Sequence, residues 1–218
     1  MEDLKEAIAK FGLTDAAELS DESRVNKMRQ YVVLLWIKNE QMNLTRHTTW
    51  DQFVSRDLVD TLELSSLIPE GVLVLDVGSG GGVPGLLLAI LRPDLKLTLT
   101  ESVGKKAAAL GEFASALELD VEIYNERAEM VLEDFRFDVT IARAVGPLIK
   151  ICRWFQGHWP SVGRLLAIKG PKWPEELQQA SEADLTDEIE VNKIREYPTP
   201  GTEWNSVCLE IKPQQASS

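Results

Sequence analysis

The sequence predicts an α/β fold in which a seven-stranded, mostly parallel sheet follows a helical amino-terminal extension. Three observations predict it. From residue 72 onward, short β-rich apolar runs alternate with helical stretches, the pattern of a parallel sheet with crossover helices. The last two strand candidates are instead adjacent, joined by PTPGTEW, whose Pro and Gly are turn formers. Before Pro69 the apolar residues keep helical spacing alone. Five parallel strands finished by a hairpin make a Rossmann-like sheet. The expected divisions are a helical extension over 1–68 packed on the core, a core over 69–213 and a disordered polar tail over 214–218, all in one structural domain.

In chain order, Leu4, Ala7, Ile8 and Phe11 mark a first helix. Ser20 or Asp21 caps a second, which places Val25, Met28, Val32, Leu35 and Trp36 on one face. A third runs from about Trp50 to Ser66 with Phe53, Val54, Leu58 and Leu62 inward, until Pro69 and Gly71 stop it. Strands follow at 72–77 (VLVLDV), 95–100 (LKLTLT), 121–124 (VEIY), 137–142 (FDVTIA) and 164–169 (RLLAIK). Helices are expected between them at 84–91, 105–117 and 147–155, and the hairpin strands at 188–197 and 205–211.

A chain of 218 residues, 44% hydrophobic and 27% charged, is long enough to bury one sizeable core. Cys152 and Cys208 form no CxxC pair and sit away from both histidines, which argues against a disulfide framework or a metal site and for a reducing, cytoplasmic setting. No apolar run approaches the roughly 20 residues needed to cross a bilayer, so no membrane is expected. The amino terminus is charged from its second residue, unlike a secretory signal. A monomer is the simplest expectation.

The formal net charge of −12, taken alone, argues against a polyanionic partner. The distribution reverses that reading. Residues 173–218 hold 10 acidic and 3 basic side chains, whereas Arg143 to Lys172 contains six basic residues and no Asp or Glu. With Trp154, Trp159 and Trp173 interleaved, this cationic stripe reads as an RNA-facing surface, although Trp154 and Phe155 also fit the packing of a helix on the sheet.

The most informative segment is VLVLDVGSGGGVPG, Val72 to Gly85. An apolar strand ends in Asp76, then Gly78, Gly80, Gly81 and Gly82 turn the chain before Pro84 opens a helix at its first position. Glycines suit a loop whose bare backbone meets a ligand. Counted from Gly78, the third glycine of a dinucleotide fingerprint is replaced by Val83, and no GK[ST] ending is present for a P-loop. What remains is an Asp-x-Gly-x-Gly loop suited to S-adenosylmethionine, with Asp76 accepting its amino group or an ordered water. Glu101, at the end of the second strand, is placed to accept both ribose hydroxyls.

With that motif in place, the chain resembles the bacterial 16S ribosomal RNA guanine-N7 methyltransferase G family, also called glucose-inhibited division protein B. The matching segments run in order from MNLTRH (42–47) through FVSRDLVDTL (53–62), LDVGSGGGVPGLLLAI (75–90), LTESVGKK (99–106), NERAE (125–129) and FDVTIARAVGPL (137–148) to GRLLAIKGPKW (163–173). The resemblance implies methyl transfer from S-adenosylmethionine to N7 of one guanosine, position 527 in the usual ribosomal numbering, within the small ribosomal subunit or an assembly intermediate. It assigns Gly78 and Val83 to the cofactor loop, Glu101 to the ribose, Ala128 and Glu129 to an adenine-edge turn, and Arg143 to the site floor. Three positions depart from the family pattern: Val83 for a bulkier aromatic, Asp57 within a common Arg-His pair, and Thr61 for a frequent Ser.

N7 of guanine has an in-plane lone pair and no proton at neutral pH, so its methylation needs no general base. Alignment of lone pair, methyl and sulfur is the task, and such orientation is worth roughly 7 to 11 kcal/mol. The sequence carries no NPPY-type tetrapeptide for amino-nitrogen methylation and no Pro-Cys nucleophile, and both cysteines read as core residues. Arg143 is the first candidate donor to guanine O6, with a cofactor-side or loop-anchoring arginine as the equal alternative. Asn43, Thr45, Arg46 and Arg56 could bring the helical extension over the site, although Asn43 also reads as a helix cap. Lys169 and Lys172 are the RNA-contact candidates in the stripe. His47 stands alone beside an arginine, which gives no metal set. The competing readings are a small-molecule or protein methyltransferase and a cofactor-binding interaction protein without turnover.

Overall fold

In the computed structural model, which describes residues 3–214, one sheet is built from β1 (Leu73–Val77), β2 (Lys96–Thr100), β3 (Val121–Tyr124), β4 (Val139–Arg143), β5 (Leu165–Lys169), β6 (Ile189–Pro198) and β7 (Asn205–Pro213). The strand order is β3-β2-β1-β4-β5-β7-β6. β1 to β5 are mutually parallel, and β7 inserts antiparallel between β5 and β6. The inner strands bury residues in succession, with four of five buried in β1, β2, β4 and β5, because crossover helices cover both faces.

The helices are α1 (Leu4–Lys10), α2 (Glu22–Asn39), α3 (Trp50–Gln52), α4 (Val59–Leu67), α5 (Gly85–Leu91), α6 (Gly104–Ala116), α7 (Ala128–Asp134), α8 (Leu148–Phe155) and α9 (Trp173–Ser181). Asp21, of the two candidates, caps α2 by accepting from the Ser23 N–H at 2.8 Å. One core cluster joins Leu4, Met28, Leu35, Phe53 and Leu64 of the extension to Leu86, Leu110 and Phe113 and to the strand residues Leu97, Ile141 and Leu166. A second cluster, with Val131, Leu148, Ile151 and Phe155, packs on Leu75, Leu165 and Leu209. The extension therefore shares the core on one face of the sheet.

Four differences from the sequence expectations have physical reasons. The third helix is continuous but not uniform: between α3 and α4, Phe53–Leu58 winds as a π-helix, with the Val59 N–H donating to the Val54 carbonyl five residues back. Pro84 stands one position before the first helical residue. α7 and α9 have only seven and nine residues, so their apolar stripes (Ala128, Val131 and Leu132; Trp173, Leu177 and Ala180) are too short to stand out in the sequence. Trp159 is buried and stacked on Phe155 at 5.3 Å between centroids, so it belongs to the core and not to an RNA-facing surface. The expected disordered tail falls largely on residues 215–218, which lie outside the described residues.

Candidate active site

β1 is flanked by β2 on one side and β4 on the other, so the crossovers leave in opposite directions and open a crevice beyond the carboxyl ends of these strands. A cavity of about 700 Å³ occupies it. Its walls come from the glycine loop after β1 (Gly78 to Gly81 and Val83), Glu101 after β2, Arg143 and Ala144 at the end of β4, and Lys169 at the end of β5. The extension closes the remaining side with Leu44, Thr45, Arg46, His47, Asp57 and Asp60. A second cavity of about 300 Å³ shares Gly78 and is lined by Ser102, Ala128, Glu129, Lys150 and Trp154.

The loop has its bare backbone for steric reasons. Gly78, Gly80 and Gly82 have φ of 67°, 57° and 102°, and a Cβ at Gly78 would stand 2.9 Å from Val145 Cγ1. From below, the fully buried Tyr31 donates its hydroxyl to the Gly81 carbonyl at 2.9 Å. Burial holds the Tyr31 hydroxyl well above its usual pKa, so it stays a donor. Asp76 lies under the same loop and lines neither cavity. Its Oδ2 accepts from the Gly85 N–H at 3.1 Å, and its buried Oδ1 has no partner. Burial pushes the Asp76 carboxyl up to about 6, against the pull of Ser79 and the Gly85 amide. A Cβ on Gly85 would sit 2.4 Å from Asp76 Oδ2, which is why that helix begins with glycine. Asp76, expected to accept an amino group or an ordered water, therefore holds the loop through the Gly85 amide and keeps one oxygen unpartnered.

Glu101 is 7% exposed and carries both of its oxygens toward amides: Oε2 accepts from the Gly80 N–H at 3.0 Å and Oε1 from the Val103 N–H at 2.8 Å. Each oxygen keeps a lone pair for a ligand, and the carboxylate cannot swing away. A diol is the ligand such a fixed, doubly accepting group suits. In the second cavity, Trp154 offers an indole face with Lys150 Nζ 4.6 Å from its centroid, opposite Ala128 and Glu129. An acceptor for a diol, bare loop backbone and an aromatic-walled recess fit S-adenosylmethionine in its ribose, methionine and adenine parts.

Arg143 is held between carboxylates from the extension. Its Nη2 lies 2.8 Å from Asp57 Oδ1 and its Nε 2.7 Å from Asp60 Oδ2. Burial works to lower the Arg143 pKa, and the two carboxylates outweigh it, so the guanidinium stays charged. Tyr197 on β6 donates to Asp60 Oδ1 at 2.7 Å, and Asp57 Oδ1 also meets His47 Nδ1 at 2.9 Å. His47, alone in the sequence, therefore has a buried partner in the fold. The Thr61 hydroxyl donates to the Asp57 carbonyl at 2.7 Å inside the widened turn.

The remaining sequence candidates separate. Lys169 lines the main cavity, but its side chain is only 9% exposed and its ammonium is spent on Glu176 at 2.5 Å and the Gly146 carbonyl at 2.7 Å. Arg46 is exposed at the cavity wall and Lys172 is exposed before α9, whereas Arg56 is half-buried on the π-helical segment away from both cavities. Asn43 is exposed, and the cap of α3 is Thr49, which accepts from the Gln52 N–H at 3.2 Å; Asn39 fixes the turn by accepting from the Leu44 and Thr45 N–H groups. Cys152 and Cys208 are buried and free, with burial pushing their thiols up to about 11 and about 12. Among the described residues no cluster of His, Cys, Asp and Glu could hold a metal ion. Tyr31, His47, Asp60 and Tyr197 are functional candidates that the sequence reading missed.

Comparison with known proteins agrees with this geometry. A family model described as rRNA small subunit methyltransferase G matches residues 24–203. The ribosomal RNA small subunit methyltransferase G of Rhodopirellula baltica is 50% identical over 196 residues, covering 90% of this chain and 83% of that protein. Its counterpart in Sorangium cellulosum is 39% identical over 188 residues, covering 83% and 76%. Among solved structures, a methyltransferase from Pyrococcus furiosus shares the fold at a TM-score of 0.57 and 13% identity, covering 87% of this chain and 100% of that one. An MtNAS variant in complex with S-adenosylmethionine does so at 0.56 and 18%, covering 97% and 84%.

Proposed function

The chain belongs to the rRNA small subunit methyltransferase G family, and we propose that it transfers the methyl group of S-adenosylmethionine to N7 of one guanosine of 16S ribosomal RNA. The RNA is presented by the small ribosomal subunit or an assembly intermediate. One observation carries the reading: a single cavity is walled on one side by the glycine loop and Glu101 and on the other by His47, Asp57 and Asp60 of the extension. The first wall suits a nucleoside cofactor and the second leaves room for an acceptor base.

Gly78, Gly80, Gly81 and Val83 would hold the methionine part, Glu101 the ribose, and Ala128, Glu129 and Trp154 the adenine. S-adenosylmethionine bound there supplies an electrophilic methyl: the N7 lone pair forms the new bond as the carbon–sulfur pair returns to sulfur, and positive charge passes to the guanine ring. The protein moves no proton in that step. Its residues fix direction and exclude water, and a site of this kind works through orientation. The Asp57–Arg143–Asp60 clasp fastens the extension to the end of β4, which sets the distance between the two walls. Lys169, tied to Glu176 and Gly146, holds the loop after β4 in the same way. Exposed Arg46 at the cavity wall and exposed Lys172 before α9 are left to meet phosphates, while more than half of the excess acid lies in residues 173–218.

The test supplies radiolabelled S-adenosylmethionine with free 16S RNA, small subunits lacking the modification, or a small-molecule extract, and maps the label by cleavage chemistry specific for N7-methylguanine. Label at one guanosine is expected. Cofactor binding without label in any ribosomal fraction would overturn the acceptor assignment in favour of a non-catalytic or small-molecule role.

A further inference from the structure

His47 is oriented more tightly than its chain position suggests. Its N–H donates to Thr45 Oγ1 at 3.0 Å, its carbonyl accepts from Trp36 Nε1 at 2.7 Å, and Trp36 is itself packed on Trp50 at 4.7 Å. With the backbone fixed, the imidazole sets Nδ1 at 2.9 Å from Asp57 Oδ1, a carboxylate whose side chain is 3% exposed. The ring is 29% exposed and lines the main cavity. An ionised carboxylate accepts only, so Asp57 selects the tautomer with the proton on Nδ1. That leaves Nε2 with an in-plane lone pair.

We propose that His47 Nε2 is the acceptor for the Watson–Crick N–H edge of the target guanine, and that Asp57 is the positioning residue that keeps it an acceptor. This rests on the methyl transfer proposed above and adds what selects the base. Guanine is the purine that presents N1–H and N2–H donors on that edge, so an acceptor there favours guanine over adenine. It also answers the chemistry at N7. Methylation leaves positive charge on the purine, which makes N1–H a stronger donor, so a hydrogen bond to Nε2 tightens as the methyl arrives. An interaction stronger in the transition state than in the ground state raises the rate and not only the affinity.

The charged and titratable groups around the imidazole are Asp57 on the π-helical segment, Arg143 and Asp60 bonded beyond it, and Arg46 next in the chain. Glu101, Lys106, Lys169 and Glu176 share the cavity.

Single-turnover methyl transfer to small subunits lacking the modification tests this with wild type, His47→Phe and His47→Gln, alongside titration of each with S-adenosylmethionine. The expected result for His47→Phe is a fall in methyl-transfer rate of about ten- to a hundred-fold, the worth of a base-edge contact, with cofactor affinity within about two-fold of wild type. His47→Gln, whose amide oxygen replaces the Nε2 acceptor, recovers most of that rate. The proposal is overturned if His47→Phe matches wild type, if cofactor affinity falls as much as rate, or if Gln and Phe fail equally. Absence of label with wild-type protein would instead overturn the methyl transfer itself.

Discussion

Replacing Asp76 with Asn isolates the electrostatic cost of holding the glycine loop. The carboxyl sits near 3.8 when solvated and about 6 in the fold, with burial as the main cause. Between those values the unfolded chain is ionised while the folded one still keeps its proton, so the native state binds more protons and stability falls as pH rises. At about 1.36 kcal/mol per unit, the full shift amounts to about 3 kcal/mol, present at low pH and lost by the time pH has passed the folded value. From pH 5 to pH 8 this one group removes about 1.4 kcal/mol of stability from the wild type. Asp76→Asn keeps an oxygen for the Gly85 N–H and has no charge to bury. Urea unfolding followed by circular dichroism at pH 5, 6, 7 and 8, at constant ionic strength, reads the difference. The stability of the variant relative to wild type should rise by about 1.4 kcal/mol across that range. A difference that stays constant would refute the assignment of the raised value to Asp76.

Two further outcomes follow from the site. Glu101→Gln keeps the size of the side chain but can accept through one oxygen only, and so loses either the Gly80 or the Val103 amide along with charge toward the diol. Isothermal titration should show S-adenosylmethionine affinity weakened about ten-fold, or about 1.4 kcal/mol, and urea unfolding a loss of about 1 to 3 kcal/mol from the amide left without an acceptor. Arg143→Ala leaves Asp57 and Asp60 facing a cavity without their shared cation. Thermal or urea unfolding should report a loss of about 3 kcal/mol, because both carboxylates stay buried without a cation and keep only their hydrogen bonds to His47 and Tyr197.

The sheet was legible because its strands are defined by local pattern: the runs from Val72 onward are short, rich in β-formers and bounded by turn residues, and the five parallel strands and the hairpin stand where those runs predict them. The placement of the glycine loop and Glu101 in the crevice was legible for a related reason, since it follows from standing at strand ends. What escaped was set by partners distant in the chain. Nothing near His47 announces Asp57, and nothing near Asp60 announces Arg143 or Tyr197, which lie 83 and 137 residues away. Asp76 and Lys169 carry the residue types of ligand contacts, yet burial commits both to loops. Trp159 was misassigned because composition alone cannot separate an aromatic on a cationic surface from one stacked beneath it.

The widened turn at Phe53–Leu58 gives the third helix two phases. An α-helix advances about 100° per residue, so one residue of extra winding rotates everything beyond it by that angle against everything before it. Upstream, Asp51 reaches Lys10 of α1; downstream, Asp60 points at Arg143. Regular winding could satisfy one of these bearings but not both. The segment therefore tolerates exchange of side chains more readily than any change in their number, since losing a single residue would turn one end of the helix away from its anchor. Chain length here is as much a determinant of the active site as residue type.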